Sequence, residues 1–176
     1  VDRAVLRALA QKEALGLLDP GAYADEPPTA IDLDPAGHQE LARRLAQRSI
    51  VLLSNDGVLP LAPQTKVAVV GEFARTPRYQ GAGSSRVNPT RLDNALDAIA
   101  AIVGHEVPFA PGFSTDARKP VAEGAVDEAV AVAKDADVVL VFLGLGESHE
   151  SEGYDRTTCD LPAEQLTLLD EILAVN

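Results

Sequence analysis

The stretch KVAVVGEF (residues 66–73) is a run of apolar, mostly β-branched residues that reaches a glycine, and it predicts a buried strand. A second run, DVVLVFLGLG (residues 137–146), is apolar at successive positions and therefore on both faces. Strands of this kind are typical of parallel sheets that helices cover on both sides. The two runs therefore indicate an α/β fold.

Helical periodicity surrounds these strands and predicts helices within the ranges 91–103, 121–136 and 161–174. The residues expected to face the core are aliphatic and helically spaced: Leu92, Leu96, Ile99 and Val103 in the first helix, and Leu166, Leu169 and Leu173 in the last. A short strand, EVPFAPG (residues 106–112), is weakened by Pro108. The alternation predicts a mostly parallel sheet with helices on both faces, an α/β sandwich with right-handed crossovers. A further strand is expected after the last helix, so the domain is predicted to be incomplete at its C-terminus.

The first residues have a different pattern. Residues 1–18 predict an amphipathic helix that Pro20 and Gly21 end. The stretch DPGAYADEPPTAIDLDP (residues 19–35) is rich in proline and acidic residues and reads as a linker, after which Asp34 and Pro35 are suited to start a helix. Because the chain opens on Val1 directly into a helical pattern, we expect it to be an internal piece of a longer protein.

Composition excludes several classes of function. Hydrophobic residues make up 46% of the 176 residues, and 27 acidic against 15 basic residues give a net charge of −12. Such a surface disfavours nucleic acid and anionic lipid as partners, and no apolar run approaches the ~20 residues of a membrane span. One cysteine and three scattered histidines offer no metal-ligand set. We expect no cofactor and no metal.

Two polar loops follow the predicted strands. They are YQGAGSSRVNP (residues 79–89) and GLGESHESEGYDRTTCDLP (residues 144–162). Ligands of open parallel sheets bind at the carboxyl ends of the strands, so both loops are candidate sites. The glycines of the first loop fit either a phosphate cradle or an ordinary flexible turn, and no complete nucleotide-binding motif supports the cradle.

The second loop carries four acidic residues, namely Glu147, Glu150, Glu152 and Asp155. A solvated surface explains such a cluster, and so does glycoside cleavage, which uses a pair of carboxyl groups. One of the pair must stay protonated near neutral pH. We expect clustering or partial burial to raise the pKa of that group.

The motifs together resemble a known family. SIVLLSNDGVLPL (49–61), KVAVVG (66–71), GAGSSRVNP (81–89), DADVVLVFLGL (135–145) and SEGYDRTTCDLPAEQLTLL (151–169) are similar, in this order, to the second domain of glycoside hydrolase family 3. This is the β-glucosidase and β-xylosidase family. The opening residues 1–20 resemble the last helix of the family's first domain, a (β/α)8-like barrel.

The resemblance implies a retaining β-glycosidase whose nucleophile, a barrel aspartate, lies outside this chain. The general acid/base carries over to Glu152 of SEGYDR, with Glu150 as the second candidate. The serine after G-x-G carries over to Ser84 as a substrate-binding residue, and Ser85 is a weaker candidate. For the other residues of this motif we expect an Asp155–Arg156 pair that organises the loop, and a packed Tyr154.

The expected domains are residues 1–19 as the end of the barrel, 20–34 as the linker and 35–176 as the first part of the sandwich. Cys159 is expected to be a small buried side chain. The expected partners are a β-glucoside or related oligosaccharide and the remainder of the enzyme, which we expect to be soluble and bacterial, either cytoplasmic or secreted. The alternatives are a non-catalytic carbohydrate-binding or interaction domain on the same scaffold, and a nucleotide-binding module.

Overall fold

The computed structural model describes residues 1–21, 35–116, 118–153 and 155–176. Nearly all of the predicted linker, and Tyr154, lie outside the described residues. The chain divides into two compact units, Val1–Asp56 and Gly57–Asn176. The three-part domain assignment made from sequence stays a prediction.

The first unit contains two amphipathic helices, α1 (Asp2–Ala14) and α2 (Pro35–Ser49). Neither helix buries a residue, and both expose large apolar side chains: Val5, Leu6 and Leu9 on α1, and Leu41 and Leu45 on α2. Among the described residues, no helix combines the length and apolar character that crossing a bilayer requires.

The second unit is built on a three-stranded parallel sheet, as predicted. Its strands are β1 (Val67–Val70), β2 (Phe109–Ala110) and β3 (Val138–Val141), in the order β2-β1-β3. β1 pairs along its whole length with β3 and over its last two residues with β2. Pro108 directly precedes the short β2, and its carbonyl accepts a hydrogen bond of 2.9 Å from the Val69 amide.

Helices cover both faces of this sheet, which confirms the α/β sandwich. On one face, α3 (Ala95–Val103) packs against Val67 and Val69 of the central strand. On the other face, α4 (Ala125–Lys134) and α5 (Ala163–Leu173) pack against Val70. The strand residues alternate between the two cores because successive side chains of a strand point to opposite faces.

The inward face of α5 differs from the prediction. Gln165, Leu168 and Ile172 are buried, whereas Leu166 and Leu173 are exposed. The reason is the polar Gln165, whose side-chain oxygen accepts from the Gly144 amide at 2.9 Å and whose amide donates to the Gly144 carbonyl at 2.7 Å. Because Gln165 is polar, a prediction from the spacing of apolar residues does not place position 165 on the buried face.

The predicted face of α3 was wrong at one position. Leu92 precedes the helix and is exposed, because Asn94 caps the helix N-terminus by accepting a hydrogen bond from the Asp97 amide at 2.8 Å. Leu96, Ile99 and Val103 face the core as expected.

The corrected register of α5 is testable with two matched substitutions. Leu168→Ala removes a side chain with 0% exposure and should lower the free energy of unfolding by about 2–5 kcal/mol. Leu166→Ala, on the same helix at 42% exposure, should cost no more than about 1 kcal/mol. Urea-unfolding curves of both variants on one background measure the difference, and equal losses would contradict the assigned face.

Candidate active site

The candidate site lies where two loops follow neighbouring strands. In the structure both predicted loops are longer: the first loop comprises residues 71–94, after β1, and the second loop comprises residues 142–162, after β3. β1 is central, and the chain crosses first to β2 on one side and then to β3 on the other. The crevice beside β1 is therefore a topological switch point, the usual ligand position in open parallel sheets.

Ser84 and Glu152 meet across this crevice. One oxygen of the Glu152 carboxylate, Oε2, accepts hydrogen bonds from the Ser84 amide at 2.8 Å and from the Ser84 hydroxyl at 2.7 Å. The structure thus brings together the residues that the resemblance implied as acid/base and as substrate-binding residue, 68 positions apart in sequence.

The backbone of the first loop makes this contact possible. Residues Gly83–Ser85 form a single 3-10 turn, and Gly83 has a φ of +78°. A Cβ atom at position 83 would lie 2.6 Å from Oε2 of Glu152. Glycine is therefore required there both for the left-handed conformation and for the close approach of the carboxylate.

The electrostatics of Glu152 correct one expectation. The hydrogen bond from the Ser84 amide, followed by that from its hydroxyl, lowers the pKa of the Glu152 carboxyl below its ordinary value. Clustering or burial had been expected to raise it, but Glu152 is exposed and the hydrogen bonds to its charged form outweigh desolvation. The Ser84 hydrogen bonds therefore favour the charged carboxylate form of Glu152.

The weaker candidates have different surroundings. The Ser85 hydroxyl donates within its own loop to the Ala82 carbonyl at 3.3 Å. Glu150 is exposed, and its described hydrogen bonds are made by the main chain, with its carbonyl accepting from Arg78 at 2.9 Å. Ser84 and Glu152 are therefore the pair that the fold places in contact.

Two further predictions for the second loop were wrong. Arg156 donates to the Thr158 carbonyl from Nε at 3.2 Å and from Nη2 at 3.1 Å, and the described ion pairs do not include one with Asp155. Cys159 is exposed rather than buried. Both residues lie in the exposed segment 155–160.

Sequence reasoning missed the cations that join the two loops. Arg78 donates to the carbonyls of Leu145 and Glu150, and Arg86 forms an ion pair with Glu147. The available signal was charge: two arginines flank the glycine-rich stretch of the first loop, while the second loop is acidic. Opposite charges on loops that leave neighbouring strands favour contact between them.

A cavity of about 210 Å³ lies beside these contacts, and its walls include Arg78, Tyr79, Asp116 and Glu147. The Arg118 guanidinium donates to Asp116 from Nε at 2.8 Å and Nη2 at 3.0 Å, which lowers the pKa of Asp116 to about 2. Within the described ranges, no three His, Cys, Asp or Glu side chains come close enough to hold a metal ion.

Comparison with known proteins shows which family the domain belongs to. The family model described as the glycosyl hydrolase family 3 C-terminal domain matches residues 50–176. The chain belongs to glycoside hydrolase family 3. The match covers all three strands and both loops of the candidate site.

Individual family 3 proteins are similar over most of this chain. The exo-α-(1→6)-L-arabinopyranosidase of Bifidobacterium breve is 50% identical over 153 residues, which cover 81% of this chain and 20% of that protein. Thermostable β-glucosidase B of Acetivibrio thermocellus is 39% identical, again over 81% of the chain. A crystal structure of a family 3 β-glucosidase from Bifidobacterium adolescentis superposes with a TM-score of 0.76 at 51% identity, over 84% of this chain and 22% of that one. The chain spans about a fifth of the length of these relatives.

Loss of the Ser84 hydroxyl should change the titration of Glu152. Ser84→Ala removes one of the two hydrogen bonds that favour the charged carboxyl, so the pKa of Glu152 should rise toward its ordinary value while the amide keeps part of the effect. The measurement is a ¹³C NMR titration of glutamate-labelled protein, with Glu152→Gln to assign the signal.

Ser85→Ala is the matched control, because its hydroxyl bonds within the first loop. It should leave the Glu152 titration unchanged. A Glu152 pKa that is the same in the Ser84→Ala variant and the unmodified protein would show that the hydroxyl does not hold the carboxylate in solution.

Proposed function

We propose that this chain supplies the general acid/base, Glu152, to a retaining β-glycosidase that releases terminal nonreducing sugar residues. The observation that carries the proposal is the Ser84–Glu152 contact at the switch point of a family 3 domain. An exposed carboxylate held by one oxygen leaves its other oxygen available to a substrate.

The proposed reaction has two steps, formation and hydrolysis of a glycosyl ester. In the first, a carboxylate nucleophile from the barrel attacks the anomeric carbon, and the Glu152 carboxylic acid gives its proton to the glycosidic oxygen as that C–O bond breaks. The products are an alcohol and a glycosyl ester. In the second, the Glu152 carboxylate takes a proton from water, the hydroxide oxygen bonds to the anomeric carbon, and the ester bond breaks to restore the nucleophile.

The lowered pKa keeps Glu152 in the deprotonated form from which the second step starts, and it also makes the carboxylate a weaker base than an ordinary glutamate. The first step needs a protonated Glu152, and the charge of the barrel nucleophile would raise the pKa of Glu152 and so favour that form. In retaining enzymes the two carboxyl groups lie about 5–5.5 Å apart, and a like charge at that distance raises a carboxyl pKa. Ester formation neutralises the nucleophile, so the Ser84 hydrogen bonds then favour the base.

The remainder of the enzyme is the proposed partner of this chain. Residues 1–19 are proposed to end the barrel domain, 20–34 to link the domains, and 35–176 to begin the sandwich domain. The exposed Val5, Leu6 and Leu9 of α1 give this assignment a physical reason, since an amphipathic helix is stabilised by covering its apolar stripe.

β-Glucosides are the proposed substrates, and α-L-arabinopyranosides are a second candidate because the Bifidobacterium breve relative is named for that activity. Both kinds of glycoside place the leaving oxygen in an equatorial position, so a single acid position serves either one. Turnover of 4-nitrophenyl β-D-glucopyranoside, α-L-arabinopyranoside and β-D-xylopyranoside by the complete polypeptide separates the candidates. Absence of turnover across the panel would favour the non-catalytic binding domain.

The role of Glu152 is testable with the neighbouring glutamate as its control. In the complete polypeptide, Glu152→Ala should lower kcat/KM by about 10²–10⁴-fold for glycosides with poor leaving groups, which require a proton. It should retain attack on 2,4-dinitrophenyl glycosides, and azide should restore turnover by forming a glycosyl azide. Glu150→Ala should show neither effect. If azide rescues only the Glu150→Ala variant, the acid/base is Glu150 and not Glu152.

A further inference from the structure

Arg78 holds both ends of the turn that precedes Glu152. Its Nη1 donates to the Leu145 carbonyl at 3.0 Å, and its Nη2 donates to the Glu150 carbonyl at 2.9 Å. The guanidinium is planar and presents its donors in a fixed fork, so these two bonds fix the separation of the two carbonyls.

The turn is confined at Gly146 as well. Gly146 is buried against the main chain of Thr115, so close to its carbonyl that a Cβ atom at position 146 would overlap it. The amides of His149 and Glu150 both donate to the Gly146 carbonyl, at 3.0 and 3.2 Å. The turn is therefore held at Gly146 by its contact with Thr115, and at Leu145 and Glu150 by Arg78.

Glu152 is two residues after Glu150, whose carbonyl accepts a hydrogen bond from Arg78. Its carboxylate is anchored by Ser84, which belongs to the same loop as Arg78. One short segment, residues 78–84, therefore fixes the main chain that leads to Glu152 and also the Glu152 carboxylate.

We propose that Arg78 is a positioning residue for the acid/base: its two hydrogen bonds set the path of residues 145–150 and so the place from which Glu152 delivers its proton. The inference rests on the proposed role of Glu152. Arg78 borders two cavities, one on the side of Asp116 and one on the side of Asp93. Without the guanidinium, the turn would have room to move toward either side.

The consequence is a rate effect that depends on the leaving group. A displacement of about 1 Å in a catalytic group can cost on the order of 10²-fold in rate. The loss should appear with leaving groups that need the proton and be absent with those that depart unaided. A general loss of folding would instead lower both rates together.

The experiment uses Arg78→Ala and Arg78→Lys in the complete polypeptide. For alkyl glycosides, Arg78→Ala should lower kcat/KM by about 10–100-fold. For 2,4-dinitrophenyl glycosides, the loss should stay within about threefold. Arg78→Lys keeps the charge but lacks the fork, so its alkyl-glycoside loss should lie between those of the unmodified protein and Arg78→Ala.

Arg91→Ala is the matched control, because Arg91 lies in the same loop and pairs with the nearby, exposed Asp93. Arg91→Ala should leave kcat/KM unchanged for both the alkyl and the 2,4-dinitrophenyl glycosides. Equal losses for both substrates in both Arg78 variants, or no loss in either, would overturn the positioning role.

Glu152→Ala, measured in parallel, separates failure of this inference from failure of the proposed function. If Glu152→Ala shows the leaving-group dependence and azide rescue while the Arg78 variants do not, only the Arg78 inference fails. If the unmodified polypeptide hydrolyses no glycoside, or Glu152→Ala retains full activity, the proposed function fails and the inference fails with it.

Discussion

The pairing of β1 with β3 is the constraint on which the candidate site depends. Val67–Val70 lie in parallel register with Val138–Val141, so the two strands end at the same edge of the sheet. The loops that follow them must therefore leave side by side, although their sequences are some 60–70 positions apart. Because β2 lies on the opposite side of β1, a crevice opens at this edge. The site is thus a consequence of strand order before any polar residue is considered.

Polar contacts join the two loops, and these contacts differ in how much they contribute to the order of the second loop. Arg78 holds main-chain carbonyls and is partly buried, whereas the Arg86–Glu147 ion pair is exposed. Exposed pairs contribute little because water and salt screen them. The hydrogen bonds from the planar Arg78 guanidinium to two carbonyls contribute more than an exposed ion pair, because their loss leaves both carbonyls without that donor. The order of the second loop therefore depends more on Arg78 than on the more conspicuous ion pair.

The sequence was sufficient for the sheet and its helices, and the family resemblance named Ser84 and Glu152 without predicting their contact; both were insufficient where one side chain acts across the fold. Strands and helices are repeated patterns, so errors at single positions do not hide them. The face of α5 was misread because Gln165 occupies a buried position to bond Gly144, a purpose that apolar spacing does not reveal. The pKa of Glu152 was misjudged for a similar reason. Nearby acidic residues suggested repulsion, but the nearest groups in space are the amide and hydroxyl of Ser84.

The direction of that pKa shift bears on how a two-domain glycosidase divides its work. Taken alone, this chain favours the charged form of Glu152, which is the base and not the acid. The force that would put a proton on Glu152 is repulsion by a second carboxylate, and in the proposed enzyme that group belongs to the barrel. In the proposed enzyme, proton donation then requires both domains, whereas the Ser84 hydrogen bonds within this chain favour the deprotonated form of Glu152 from which the second step starts. Because the repulsion ends when the nucleophile becomes an ester, one glutamate serves both steps in the proposed enzyme.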